Sequence, residues 1–180
     1  MSNPNVAVMQ GNGGLTTEDL WYQEVMREIE QLGIDVIAEP MPPYVVDCMT
    51  DCMHYMKDVM KIGKDTIVVG HSSSAEAAMR FAESNLIYGS VLIAACYTDL
   101  GIRSEKQSGY YGAPWGWEAI KANQNWIVQF AAPNDPFIPI EEARYIRDQL
   151  NTEYYEKPRG HYQEIIFPEI AEVIKAKLGI

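Results

Sequence analysis

The sequence predicts a three-layer α/β/α sandwich around a mostly parallel sheet of about six strands. Short apolar, β-branched runs alternate with longer amphipathic segments from one end of the chain to the other, the pattern of strands joined by crossover helices that cover both faces of a sheet. Hydrophobic residues make up 47% and charged residues 22% of the composition, which sets aside disordered, collagen-like and coiled-coil classes. A length of 180 residues is enough for one domain with a sizeable core and too short for two ordinary ones, so a single domain over 1–180 is expected.

The elements follow in order. Val6-Ala7-Val8-Met9 reads as a strand and is followed by a helical pattern from about Thr17 to Leu32. A second run, Ile34 to Ala38, leads through Pro40-Met41-Pro42-Pro43 into a helix from about Val46 to Ile62. Thr66-Ile67-Val68-Val69 precedes a helix from about Ser73 to Glu83, and Gly89 to Ala95 forms the next strand. An irregular stretch, roughly Tyr97 to Pro114, separates it from the strand Trp126 to Phe130. A helix from about Ile140 to Leu150, a short strand near Tyr154 and a closing helix from about Gln163 to Leu178 complete the chain. No repeat or linker interrupts the pattern. In an open parallel sheet the ligand site lies beyond the carboxyl ends of the strands, so the residues just past each run carry the interest.

The net charge is −11 and no Lys/Arg-rich run occurs. Nucleic acid and anionic membranes are held chiefly by basic patches, so neither is expected as a partner. No stretch approaches transmembrane length, and Met1-Ser2-Asn3-Pro4-Asn5 lacks the basic and apolar regions of a signal peptide. Cys48, Cys52 and Cys96 are an odd number, which speaks against a disulfide framework. A cytoplasmic location is expected.

Ile67-Val68-Val69-Gly70-His71-Ser72-Ser73-Ser74-Ala75 places a turn of small residues between a buried strand and a helix. This is the pattern of a nucleophile elbow, in which a strained turn lifts one serine above the sheet. Ser72 is the lifted residue, and the backbone N–H of Ser73, at the helix N-terminus, can face a developing oxyanion. The fifth position of Gly-x-Ser-x-Gly is Ser74 here, small enough to keep strand and helix close. The competing explanation is a serine-rich helix N-cap.

A serine hydroxyl needs a base, and the chain has three histidines. His54 falls inside a helical pattern and His71 is the variable residue of the turn, which leaves His161 on the loop Lys157 to His161. Around such an elbow the acid follows the serine and precedes the histidine along the chain. Asp135, in Ala132-Pro133-Asn134-Asp135-Pro136, lies past the strand before His161. Asp99, in the turn Tyr97-Thr98-Asp99-Leu100-Gly101, is the competing acid. Each residue also has a plain explanation, a surface loop histidine or a turn aspartate, but three loops fall into the required order.

Gln10-Gly11-Asn12-Gly13-Gly14 follows the first strand, and its glycines let backbone amides approach a ligand. Asn12 or Gly13 is expected to supply the second oxyanion donor. Tyr97, Tyr110, Tyr111, Trp115 and Trp117, on the connection after the strand that follows the elbow, are candidates for the wall of an apolar pocket, with Tyr110, Trp115 and Trp117 foremost; packing onto the core explains them equally well. Cys48, Cys52 and His54 lack a fourth ligand and read as helix residues, not as a metal site.

With these residues in place the chain resembles the retinoblastoma-binding protein nine family of small serine hydrolases. The resemblance runs through Gly11 to Gly14, Gly70 to Ala75, Tyr97 to Gly101, Gly109-Tyr110, Pro114-Trp115, Ile127 to Phe130, Asp135-Pro136-Phe137 and Gly160-His161. It implies a compact α/β-hydrolase fold without a large lid and a triad of Ser72, Asp135 and His161. Family members that bind retinoblastoma protein carry Leu-x-Cys-x-Glu before the elbow strand. This chain reads Met60-Lys61-Ile62-Gly63-Lys64 there, so retinoblastoma binding is not implied.

The expected activity is hydrolysis of a small ester or amide, aminoacyl ones included, with no cofactor and no metal. The alternative is a protein that keeps the fold as an interaction scaffold, since fold does not imply activity.

Overall fold

The computed structural model describes residues 4–180. Met1, Ser2 and Asn3, which open the segment considered above for a signal peptide, lie outside the described residues. The elements are β1 (Asn5–Met9), α1 (Tyr22–Gln31), β2 (Val36–Ile37), α2 (Cys48–Asp58), β3 (Thr66–His71), α3 (Ser73–Ala82) and β4 (Gly89–Ile93). Then come α4 (Arg103–Ser108), α5 (Trp117–Ala122), β5 (Ile127–Ala131), α6 (Ile140–Leu150), β6 (Glu153–Glu156) and α7 (Glu169–Leu178).

The strands form one sheet in the order β2-β1-β3-β4-β5-β6, and every neighbouring pair is parallel. From β1 the chain first moves out to β2 at one edge. It then crosses back to β3 on the other side of β1 and proceeds to the opposite edge. The direction of winding therefore reverses between β1 and β3, and the crevice for a ligand opens where the loops after these two strands diverge.

Period-2 alternation divides the core into two layers. Val6, Val8, Ile67, Val69, Val91 and Ile93 face α1 and α7, where Trp21, Tyr22, Phe167 and Ile170 are buried. Ala7, Met9, Val68 and Leu92 face the other way, against Cys52 and Met56 of α2, Met79 and Phe81 of α3, Ile120 of α5 and Ile146 of α6. Cys48 and Cys52 are thus core residues, while His54 is exposed on the same helix.

Several boundaries differ from the sequence expectation, each for a local reason. The helix expected from Thr17 begins at Tyr22, because Asp19 Oδ2 accepts the N–H and the hydroxyl of Thr16 at 2.7 and 2.9 Å and closes a turn first. The helix expected over Val46 to Ile62 is trimmed to Cys48–Asp58. Val59 and Met60 both give their N–H to the Tyr55 carbonyl, and Lys61 at φ 57° ends the turn. The closing helix starts at Glu169. Ahead of it, the Arg159 guanidinium holds Glu164, Glu169 and the Ile166 carbonyl and keeps the segment after Gln163 as a loop. The stretch expected to be irregular contains α4, and α5 follows it. Among the described residues no helix is long and apolar enough to cross a membrane.

Candidate active site

β3 runs into Gly70 and His71, and the chain turns into α3 at Ser72, whose φ of 53° and ψ of −124° are strained for a residue with a Cβ. Two glycines make room for this turn. A Cβ on Gly70 would lie 2.4 Å from the Ser74 carbonyl oxygen and 2.9 Å from Ala75 Cα, both backbone atoms that cannot give way. A Cβ on Gly11 would meet Ser72 Cβ at 3.3 Å. The small residues of both loops are therefore a condition of bringing β1, β3 and α3 together.

Ser72 Oγ lies 3.0 Å from His161 Nε2, and His161 Nδ1 lies 2.7 Å from Asp135 Oδ2. A carboxylate can only accept, so Nδ1 carries the ring proton and Nε2 is left to accept from the serine hydroxyl. The carboxylate is fixed in turn, since Asp135 Oδ1 accepts the amides of Phe137 and Ile138 at 2.8 and 3.1 Å. Asn134 Oδ1 accepts the Gly160 N–H at 3.0 Å and ties the loop after β5 to the loop that carries His161. His161 and the Asp135 side chain are both buried, and Phe137 meets the imidazole edge-on at 5.0 Å. Asp99 is elsewhere, accepting the Gly101 amide within its own turn.

Ser72 and His161 open into a cavity of about 310 Å³ that also takes in Asn12, Gly13 and Ser73. Among the described residues the amides of Asn12 and Gly13 find no acceptor, whereas the Gly11 amide is taken by Tyr22 Oη at 3.0 Å. Leu15, Leu100, Ile102, Tyr111, Phe137 and Ile138 give the cavity its apolar wall, and Glu76, Glu105 and Cys96 its polar end. Glu76 Oε1 accepts the Cys96 amide at 2.8 Å, and burial pushes the Glu76 carboxyl well above the ordinary range. A second cavity of about 520 Å³ lies across the Gly11 to Leu15 loop, against Pro40 to Pro43, Tyr44 and Tyr110.

Of the expected aromatic wall, Tyr111 borders the Ser72 cavity while Tyr97, Tyr110, Trp115 and Trp117 do not. Tyr110 is buried in the α2 and α3 layer, stacked on Tyr44, and borders only the second cavity. Trp115 lies under the Arg80 guanidinium at 3.7 Å and stacks on Trp117 at 5.5 Å, and neither borders the Ser72 cavity. Arg80 is the cause: its N–H groups donate to the carbonyls of Tyr110, Ala113 and Pro114 and draw that connection down over α3. Tyr111, one residue past Tyr110, reaches the cavity alongside Phe137. His71 is also more than a variable turn residue, since it is fully buried with a partner at each ring nitrogen. Its place directly before the turn serine was the only sequence signal available.

Solved structures share this architecture. The YdeN gene product of B. subtilis superposes with a TM-score of 0.89 at 15% identity, covering 99% of this chain and 100% of that one. CarC, a serine hydrolase involved in carbazole degradation, gives a TM-score of 0.71 at 19% identity, covering 99% and 92%. The fold is that of the α/β-hydrolases, in its compact form. In sequence, the serine hydrolase RBBP9 of Rattus norvegicus is 38% identical over 183 residues, covering 99% of this chain and 98% of that protein. No family model matches the chain. At that identity and coverage the chain belongs to the RBBP9 family of serine hydrolases.

Proposed function

We propose that the chain hydrolyses small esters or amides through an acyl-enzyme on Ser72, with His161 as base and Asp135 as the residue that orients it. The observation that carries this reading is the continuous path from Ser72 Oγ to His161 Nε2 at 3.0 Å and from His161 Nδ1 to Asp135 Oδ2 at 2.7 Å. Ser72 Oγ attacks the substrate carbonyl while His161 takes its proton, and the imidazolium then gives that proton to the leaving group. Water, activated by the same imidazole, releases the acid. Charge on the tetrahedral oxygen is met by the Ser73 amide and by the amide of Asn12 or Gly13.

The cavity supports a small, partly apolar substrate, because about 310 Å³ leaves little room beyond one acyl group and a short leaving group. Carboxylesters and aminoacyl esters or amides are the classes to test. Cys48, Cys52 and Cys96 are all buried and free, which suits the reducing cytoplasm. The experiment is labelling with a fluorophosphonate probe, which reacts only with an activated serine. Labelling of the wild type at Ser72 supports the reading, and a wild type that resists the probe overturns it in favour of a non-catalytic scaffold.

A further inference from the structure

The carbonyl of Gln10 and the N–H of Gly11 belong to one peptide group, and both of its polar atoms are held. Ser74 Oγ donates to the Gln10 carbonyl at 2.5 Å, and Tyr22 Oη accepts the Gly11 N–H at 3.0 Å. The Tyr22 hydroxyl then donates to His71 Nδ1 at 2.6 Å, and His71 Nε2–H donates to the His161 carbonyl at 2.8 Å. Only one assignment of protons satisfies this chain. A carbonyl cannot donate, so His71 must carry its proton on Nε2, leaving Nδ1 to accept from the tyrosine. Burial lowers the His71 pKa to about 4, so the neutral ring persists at neutral pH.

The Asn12 N–H belongs to the next peptide group, Gly11–Asn12, so holding the Gln10–Gly11 peptide fixes the start of the loop and leaves only the dihedrals from Gly11 onward to place the Asn12 and Gly13 amides. Rotation of an unheld peptide there would swing those donors away from Ser72. The usual elbow has glycine at the position of Ser74, and glycine has no hydroxyl with which to hold the Gln10 carbonyl. The side chain of Ser74 is buried and its only hydrogen bond among the described residues is this one.

We infer that Ser74 and the Tyr22–His71 pair are positioning residues that lock the Gln10–Gly11 peptide and so aim the amide of Asn12 or Gly13 at the oxyanion formed on Ser72. The inference rests on the hydrolase reading proposed above. In this chain the departure from glycine at position 74 adds a hold on the oxyanion loop.

The test compares wild type with Ser74→Gly, Ser74→Ala and Tyr22→Phe on short-chain p-nitrophenyl esters. Each variant should lower kcat by roughly ten- to a hundred-fold, below the loss seen when an oxyanion donor is deleted outright. KM should stay within about twofold, because the loop is being aimed at the transition state. A trifluoromethyl ketone, which forms a tetrahedral adduct on an activated serine, should bind more weakly by the same factor as kcat/KM falls. The double variant Ser74→Ala with Tyr22→Phe should lose less than the product of the single losses, since both act on one peptide. Should Tyr22→Phe fail to fold, the two Ser74 variants still decide. Unchanged kcat and ketone affinity in the Ser74 variants, with a wild type that labels at Ser72, overturns the positioning role alone. A wild type that neither labels nor turns over ester overturns the hydrolase reading and this inference with it.

Discussion

Asp135 divides its carboxylate between two tasks, with Oδ2 accepting His161 Nδ1 at 2.7 Å and Oδ1 accepting the Phe137 and Ile138 amides. The second task fixes the geometry of the first. Asp135→Asn should keep the fold yet lower turnover by up to about ten-thousand-fold, because an amide in that place favours the wrong imidazole tautomer. Asp99→Asn should leave turnover within about twofold, since Asp99 serves only its own turn. Steady-state kinetics of the two variants decide this, and collapse in Asp99→Asn with activity kept in Asp135→Asn would move the acid to the loop after β4.

At Ser72 chemistry and backbone strain can be separated. Ser72→Ala and Ser72→Gly should both abolish fluorophosphonate labelling and reduce turnover by up to about a million-fold. Their stabilities should differ, because φ 53° and ψ −124° favour a residue without a Cβ. The glycine variant should exceed the alanine variant by on the order of 1 kcal/mol in denaturant unfolding. Equal stability would mean the turn is not strained.

Two buried titratable groups set opposite trends of stability with pH. The His71 pKa, lowered by burial to about 4 from 6.5, means that the unfolded chain binds a proton the folded one refuses. Its contribution is lost as pH falls from about 6.5 to about 4, amounting to roughly 3 kcal/mol. Glu76 is raised by burial, so the unfolded chain gives up a proton the folded one keeps, and stability is lost as pH rises above about 4.5. Glu76→Gln should therefore gain in melting temperature over wild type, by an amount that grows from pH 4.5 to pH 7. A difference that does not vary with pH would show that Glu76 is ionised in the fold. NMR of the His71 ring should show a neutral imidazole down to about pH 5.

Substrate preference should follow the observed wall of the cavity, not the aromatic cluster beside it. Ile102→Ala and Tyr111→Ala remove apolar surface from the cavity and should raise KM for longer acyl esters by about three- to tenfold. Trp117→Ala should leave KM within about twofold while lowering stability, because Trp117 packs on Trp115, Tyr97 and Tyr145. The reverse pattern would place the acyl pocket at the Trp115 and Trp117 cluster.

Much of the scaffold is written locally. The β-branched runs at Val6, Thr66, Gly89 and Trp126 become central strands, and the helix expected over Ile140 to Leu150 is α6 with the same bounds. Ser72, Asp135 and His161 could be named as candidates because each sits among a few contiguous residues past the end of a strand, and their side chains lie within hydrogen-bond distance of one another in the fold. The strand expected over Ile34 to Ala38 is present as β2 but shortened to Val36–Ile37, while the trimmed helices and α4 and α5 were not legible, since turn bonds such as Thr16 to Asp19 compete with helical propensity over a few residues.

What the chain by itself determined was the layer architecture, whereas the strand order that opens the crevice between β1 and β3 came with the tertiary structure. Tertiary structure alone decided which way the aromatic connection folds, through the bonds from Arg80 to the carbonyls of Tyr110, Ala113 and Pro114. It alone also joined Gly11, Tyr22, His71 and the His161 carbonyl into one buried chain. Hydrophobic periodicity is set by neighbours in sequence and can be read there. A buried polar group takes whichever partner the packed fold brings within about 3 Å, and these partners come from loops and strands far apart along the chain.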